Sequence, residues 1–126
     1  MLRRLAEEGD AAAQANLAFL YIEGKGVERD YAAAMMWARR AADAGDAYSE
    51  YHVGVLFNWG WGVPQDKRAA ASWFVRAAEH GYENATAALR KLAEEGVPEA
   101  AAAVERLGLA AEGAPSAGGA ASGGGL

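Results

Sequence analysis

An all-α solenoid is the fold class this chain predicts, and three observations predict it. Asp10–Gly45 aligns without a gap onto Asp46–Gly81 as one 36-residue unit written twice, with 14 of the 36 positions identical. A repeat of that length marks a stacked array of supersecondary units. Alanine makes up much of the 52% hydrophobic content, and it is the best helix former and small enough to let helices pack closely. Glycine and aspartate recur where such helices would stop and start, at Gly9-Asp10 and Gly45-Asp46, and again at Asp30 and Asp66.

Length and charge narrow the classes of function. At 126 residues the chain fits one domain. Its net charge of −5, with no long basic run and adjacent basic residues only in separate pairs such as Arg39-Arg40 and Lys67-Arg68, argues against nucleic acid as a partner. The chain holds no cysteine, which excludes disulfides and thiolate metal sites. The N-terminal residues turn acidic at once and lack the apolar run of a secretory signal, and no stretch reaches the roughly 18–20 apolar residues of a membrane span. The expected compartment is the cytoplasm by default, or the periplasm or exterior if the N-terminus is truncated.

Taken in order, residues 1–9 read as the end of a helix, because Arg3–Gly9 overlies Arg39–Gly45. They suit either a short cap or the remnant of a preceding repeat. Repeat 1 spans residues 10–45 and repeat 2 spans 46–81. The first helix of each runs from about Asp10 to Glu23 and from about Asp46 to Trp59. The loops Gly24-Lys25-Gly26-Val27 and Gly60-Trp61-Gly62-Val63 follow, with Val27 and Val63 placed to plug the core and Asp30 and Asp66 to cap the next helix. A phosphate cradle is the other reading of such a loop, but the nucleotide fingerprints need a preceding strand and a third glycine or Gly-Lys-Ser/Thr. The second helices run over about 30–44 and 66–80. In them Ala33, Trp37 and Ala41 fall four apart, as do Ala69, Trp73 and Ala77, so each indole is expected in the core between small neighbours. Residues 82–111 begin the pattern again, lose the glycine loop and read as a degenerate repeat with a capping helix from Pro98 to about Ala111. Residues 112–126 are Gly, Ala and Ser with no periodicity and read as a disordered tail.

The pattern Ala13-x-x-x-Leu17-Ala18-x-x-Tyr21-x-x-Gly24-x-Gly26-Val27-x-x-Asp30-x-x-Ala33-x-x-x-Trp37-x-x-x-Ala41-Ala42-x-x-Gly45 resembles the Sel-one-like repeat, a helical repeat related to the tetratricopeptide repeat. The likeness covers about residues 10–92, with Ala18 in place of the usual Gly, Ser49 of Ala and Phe57 of Tyr. It implies a right-handed superhelix of antiparallel helix pairs acting as a scaffold or adaptor for other proteins. Some bacterial members are secreted, carry a disulfide in each repeat and bind β-lactam-like ligands; a chain without cysteine does not fit that branch.

In related arrays the first helix of each pair lines a concave surface. By register that face holds Phe19, Ile22 and Glu23 in the first repeat, beside Ala12 and Ala15, and Tyr48, Tyr51, Val55, Asn58 and Trp59 in the second, with His52 at its edge. Where packing dictates a residue, both copies keep its character. Ala12/Tyr48, Ala15/Tyr51, Glu23/Trp59 and Lys25/Trp61 instead turn aromatic, which singles out Tyr48, Tyr51, Trp59 and Trp61 as binding candidates. The plainer alternative is that they fill a gap against the C-terminal helices. His52 and His80 have no partner at metal-ligand spacing, the acidic pairs read as helix faces and caps, and no motif calls for a cofactor. The expected role is a non-enzymatic interaction module whose aromatic groove takes a peptide or helix of another protein. The alternative is a structural segment of a longer array, or a self-associating unit; an enzyme comes third.

Overall fold

The computed structural model describes residues 2–109, so the segment 112–126 read as a tail lies outside the described residues. Those residues form seven helices and no strand: α1 (Leu2–Glu7), α2 (Ala11–Glu23), α3 (Tyr31–Asp43), α4 (Ala47–Trp59), α5 (Lys67–Glu79), α6 (Glu83–Glu94) and α7 (Pro98–Arg106). The predicted all-α solenoid is what is found. Each helix packs on the next in sequence, so α2/α3, α4/α5 and α6/α7 stack as successive antiparallel pairs, and α5 also touches α7.

Local signals set the helix ends. The carboxylates of Asp10, Asp30, Asp46 and Asp66 accept hydrogen bonds from the backbone N–H of Ala13, Ala33, Ser49 and Ala69 at 2.8, 3.0, 2.9 and 3.0 Å. The two long loops are closed alike. The N–H of Asp30 donates to the Tyr21 carbonyl at 3.0 Å, and that of Asp66 to the Phe57 carbonyl at 2.8 Å. The third pair has Tyr82 and Val97 at the capping positions, with no side-chain cap, and Pro98 opens α7. That helix was expected to reach about residue 111 but stops at Arg106. The reversal at Gly108, closed by the Leu109 N–H on the Val104 carbonyl at 2.8 Å, ends it first.

Two buried clusters meet at α4 and α5. One joins Ala6, Leu17, Trp37, Val53 and Trp73; the other joins Phe74, Leu89, Leu92, Val97 and Ala103; Phe57 packs against both. Trp37 and Trp73 are in the core, as their spacing predicted. Their flanking arginines cover them. The Arg40 guanidinium lies 5.0 Å from the Trp37 ring, and Arg39 and Arg76 lie 5.0 and 4.5 Å from Trp73. The helix-terminal arginines therefore bridge α3 and α5 through one indole, besides complementing the helix dipoles. One pair of positions is exchanged between the copies: Ala18 and Ala38 in the first become Gly54 and Phe74 in the second, where the ring occupies the space of a Gly54 side chain.

Candidate functional site

The first helices of the pairs carry a strip of aromatic side chains. The Phe19 ring of α2 lies edge-on to His52 of α4 at 6.4 Å; His52 in turn meets Tyr48 at 4.3 Å and Tyr51 at 5.6 Å. Tyr48 and Tyr51 then contact Tyr82, at the start of α6, at 5.8 and 5.1 Å, and Tyr51 reaches Phe74 at 5.5 Å. Beyond the strip a cleft of about 320 Å³ opens between α4 and α6. Tyr51, Val55, Asn58 and Trp59 form one wall, Asn84, Ala88, Lys91, Leu92 and Glu95 the other, and Phe74 also lines it. Trp59 is 55% exposed, the most open of the large apolar side chains that stand out from the surface.

Of the residues singled out from the sequence, the structure thus gathers Tyr51, Val55, Asn58 and Trp59 around one cleft and sets Phe19, Tyr48 and His52 in the adjoining strip. Glu23 is exposed at the end of α2, close enough for its charge to act on both Tyr48 and His52. Trp61 does not line the cleft. It stacks on Tyr31 of the preceding repeat, with ring centres 5.1 Å apart and planes 14° from parallel, and Trp59 stacks on it in turn at 6.3 Å.

The electrostatics of the strip favour neutral side chains. Burial, reinforced by Tyr82, raises both the Tyr48 and Tyr51 phenols above their ordinary value, so at neutral pH they are un-ionised hydroxyls. Burial also pushes the His52 imidazole below its ordinary value, with the charges of Asp46 and Glu23 only partly opposing it. Both ring nitrogens of His52 are buried with no hydrogen-bond partner among the described residues. Protonation is therefore easier in the unfolded chain than in the fold. The stability His52 contributes is complete above about pH 6.5, the unfolded value, and is lost as pH falls below it, with a slope of at most about 1.4 kcal/mol per pH unit. Urea melts between pH 5 and 7 are expected to show that slope and to lose it in His52→Phe, which keeps a ring among Phe19, Tyr48 and Tyr51. Equal slopes in the two proteins would contradict it.

A second buried polar group lies on the other side of α4. The Glu50 carboxylate, 3% exposed, meets the Nδ1 of the half-exposed His80 at 2.7 Å. The matching residue of the first copy, Gln14, donates its amide to the Ala6 carbonyl at 2.9 Å. Both polar groups hold α2 or α4 to a neighbouring helix end. Among the described residues no three His, Asp or Glu come together as a metal ion would need, and no helix is long and apolar enough to cross a membrane.

The family model of the Sel1 repeat matches residues 11–46 and 47–82, more than half of the chain. The chain belongs to the Sel1-repeat family. Sel1 repeats generally serve as protein–protein interaction modules, and their proteins are typically non-catalytic scaffolds. Two solved structures are similar to this Sel1 chain. One is a protective antigen present in uropathogenic Escherichia coli strains and displaying an SLR fold, 30% identical, with a TM-score of 0.74 over 85% of this chain. The other is a Sel1 repeat protein from Oxalobacter formigenes, 29% identical, with a TM-score of 0.71 over 82% of this chain. The match spans only 27% and 45% of the length of those two chains. No curated protein matches the chain.

The wall supplied by α6 went unread in the sequence. Asn84, Ala88, Lys91 and Glu95 lie three or four apart, one face of a helix, and that spacing was the available signal. Charge at former packing positions masks that face, because it reads equally as the end of the Sel1 array. The Glu50–His80 pair joins residues 30 apart in sequence, and nothing local announces it.

Proposed function

We propose that this Sel1 chain is a binding module and that the cleft between α4 and α6, with Trp59 at its mouth, takes a segment of another protein. One observation carries the reading: a large indole left more than half exposed beside an apolar-walled cleft that spans two successive helix pairs. Trp and Tyr in such positions are the residues that most often carry interface energy. Phe19, Tyr48, His52 and Glu23 extend the surface along α2 and α4, and Trp61 supports Trp59 from the loop side. Residues 10–45 and 46–81 serve as the two repeats that present it, and the helices from residue 82 onward complete the cleft while closing the stack.

Selection of a displayed random-peptide library on the folded chain tests the site. Trp59→Ala is expected to weaken the selected peptides by at least about tenfold, a hot-spot effect. Met36→Ala, at another exposed apolar residue, is expected to leave them unchanged. Enriched peptides that bind the Trp59→Ala protein as tightly as the parent would exclude the site.

The second reading, a segment of a longer array, draws on the small share of its structural relatives that the chain covers. Sedimentation separates the two: a module that binds by itself remains monomeric at micromolar concentration, and an open-ended segment self-associates through Leu5 and other exposed apolar residues.

A further inference from the structure

We infer that the occupant of the α4–α6 cleft is an extended, acidic segment of a partner protein that inserts one bulky apolar side chain beside a carboxylate. The inference rests on the binding reading above and adds the chemistry of the partner. Size is the first argument. At about 320 Å³ the cleft is at the small end of ligand sites, enough for a single anchoring side chain between Phe74, Leu92 and the Trp59 indole, and too small to seat a whole helix.

Charge is the second argument. Two charged residues line the cleft, Lys91 and Glu95. The Glu95 carboxylate is already neutralised by the Lys67 ammonium at 2.6 Å. The Lys91 ammonium has no ionic or hydrogen-bond partner among the described residues. The one unbalanced charge at the cleft is therefore a cation, on a chain whose net charge is −5. Complementary charge at a binding rim selects partners and suppresses those of the same sign. The local cation also opposes the field of the whole molecule, which favours basic peptides. A preference for acidic peptides would thus report the cleft and not the overall charge.

Fluorescence anisotropy with three labelled peptides provides the test. Each has a single tryptophan in a Gly/Ser background, flanked by two Glu, two Ser or two Lys. The folded chain is expected to bind the Glu-flanked peptide about five- to tenfold more tightly than the Lys-flanked one. That ratio should shrink as salt is raised and reverse in Lys91→Glu, an exposed substitution. A parent protein that binds all three equally or prefers the Lys-flanked peptide, with binding still lost in Trp59→Ala, would overturn the acidic partner and leave the binding site standing. Binding by none of the peptides, or binding indifferent to Trp59→Ala, would overturn both.

Discussion

Phe74→Ala is expected to cost about 3–5 kcal/mol, and Gly54→Ala about 1–3 kcal/mol, yet the two together should cost less than their sum. Phe74 is 2% exposed, and a Cβ at Gly54 would stand 2.5 Å from its Cε1 and 2.7 Å from its Cδ1. The ring must shift away from the added methyl toward the cleft it lines, which breaks its packing against the surrounding core. The gain in helix propensity, at most about 1 kcal/mol, does not offset that. The double variant recreates the Ala18/Ala38 pair that the first repeat already uses at these positions. A methyl at residue 54 then occupies part of the space the ring vacates. A coupling on the order of 1–3 kcal/mol in urea melts is the expected result. Strict additivity would mean that the two positions do not share one volume. If Phe74→Ala alone does not fold, Phe74→Leu carries the same cycle.

Gly62→Ala should destabilise by about 2–4 kcal/mol and Gly26→Ala by about 1–2 kcal/mol, although the two glycines occupy the same place in their loops. Their φ angles are +79° and +75°, so the left-handed penalty is common to both. The difference is the neighbour. A Cβ at Gly62 would lie 2.7 and 2.8 Å from the carbonyl carbon and oxygen of Tyr31, and backbone cannot swing aside as a side-chain tip can. At Gly26 nothing lies within 4 Å. Gly62 is thus where the second loop rests on the start of α3, and the Tyr31–Trp61 stack is built on the same contact. Gly62→Ala should therefore also diminish the near-ultraviolet signal of the stacked rings, and Gly26→Ala should not. Equal losses of stability would show that the second loop does not rest on Tyr31.

These cases show which parts of the molecule can be read from its letters. The stack is legible because each instruction is local: an Asp three residues ahead of the small residue whose N–H it caps, a glycine at a reversal, one indole between alanines. Comparing the two copies picks out Tyr48, Tyr51, Trp59 and Trp61 because packing did not hold those positions constant. The same comparison cannot separate a free surface from a contact between repeats. Trp61 changed from Lys25 and yet lies on Tyr31, a residue in the other repeat. His52 carries no sequence signal of its burial, because the rings around it come from both α2 and α4. Lys91 is hidden for a related reason. A cleft between successive helix pairs needs a third first-helix to form its far wall, and that helix has the most divergent sequence of the three.

The most direct measurement is an amide and indole NMR titration of the labelled protein with the tightest peptide from the library selection. If the cleft is the binding site, the Trp59 indole N–H and the amides of Val55, Asn58, Ala88 and Lys91 shift together and saturate with one dissociation constant, while α3 residues such as Met36 stay still. Shifts centred on α1, α3 or α5, with the Trp59 indole unmoved, would contradict it.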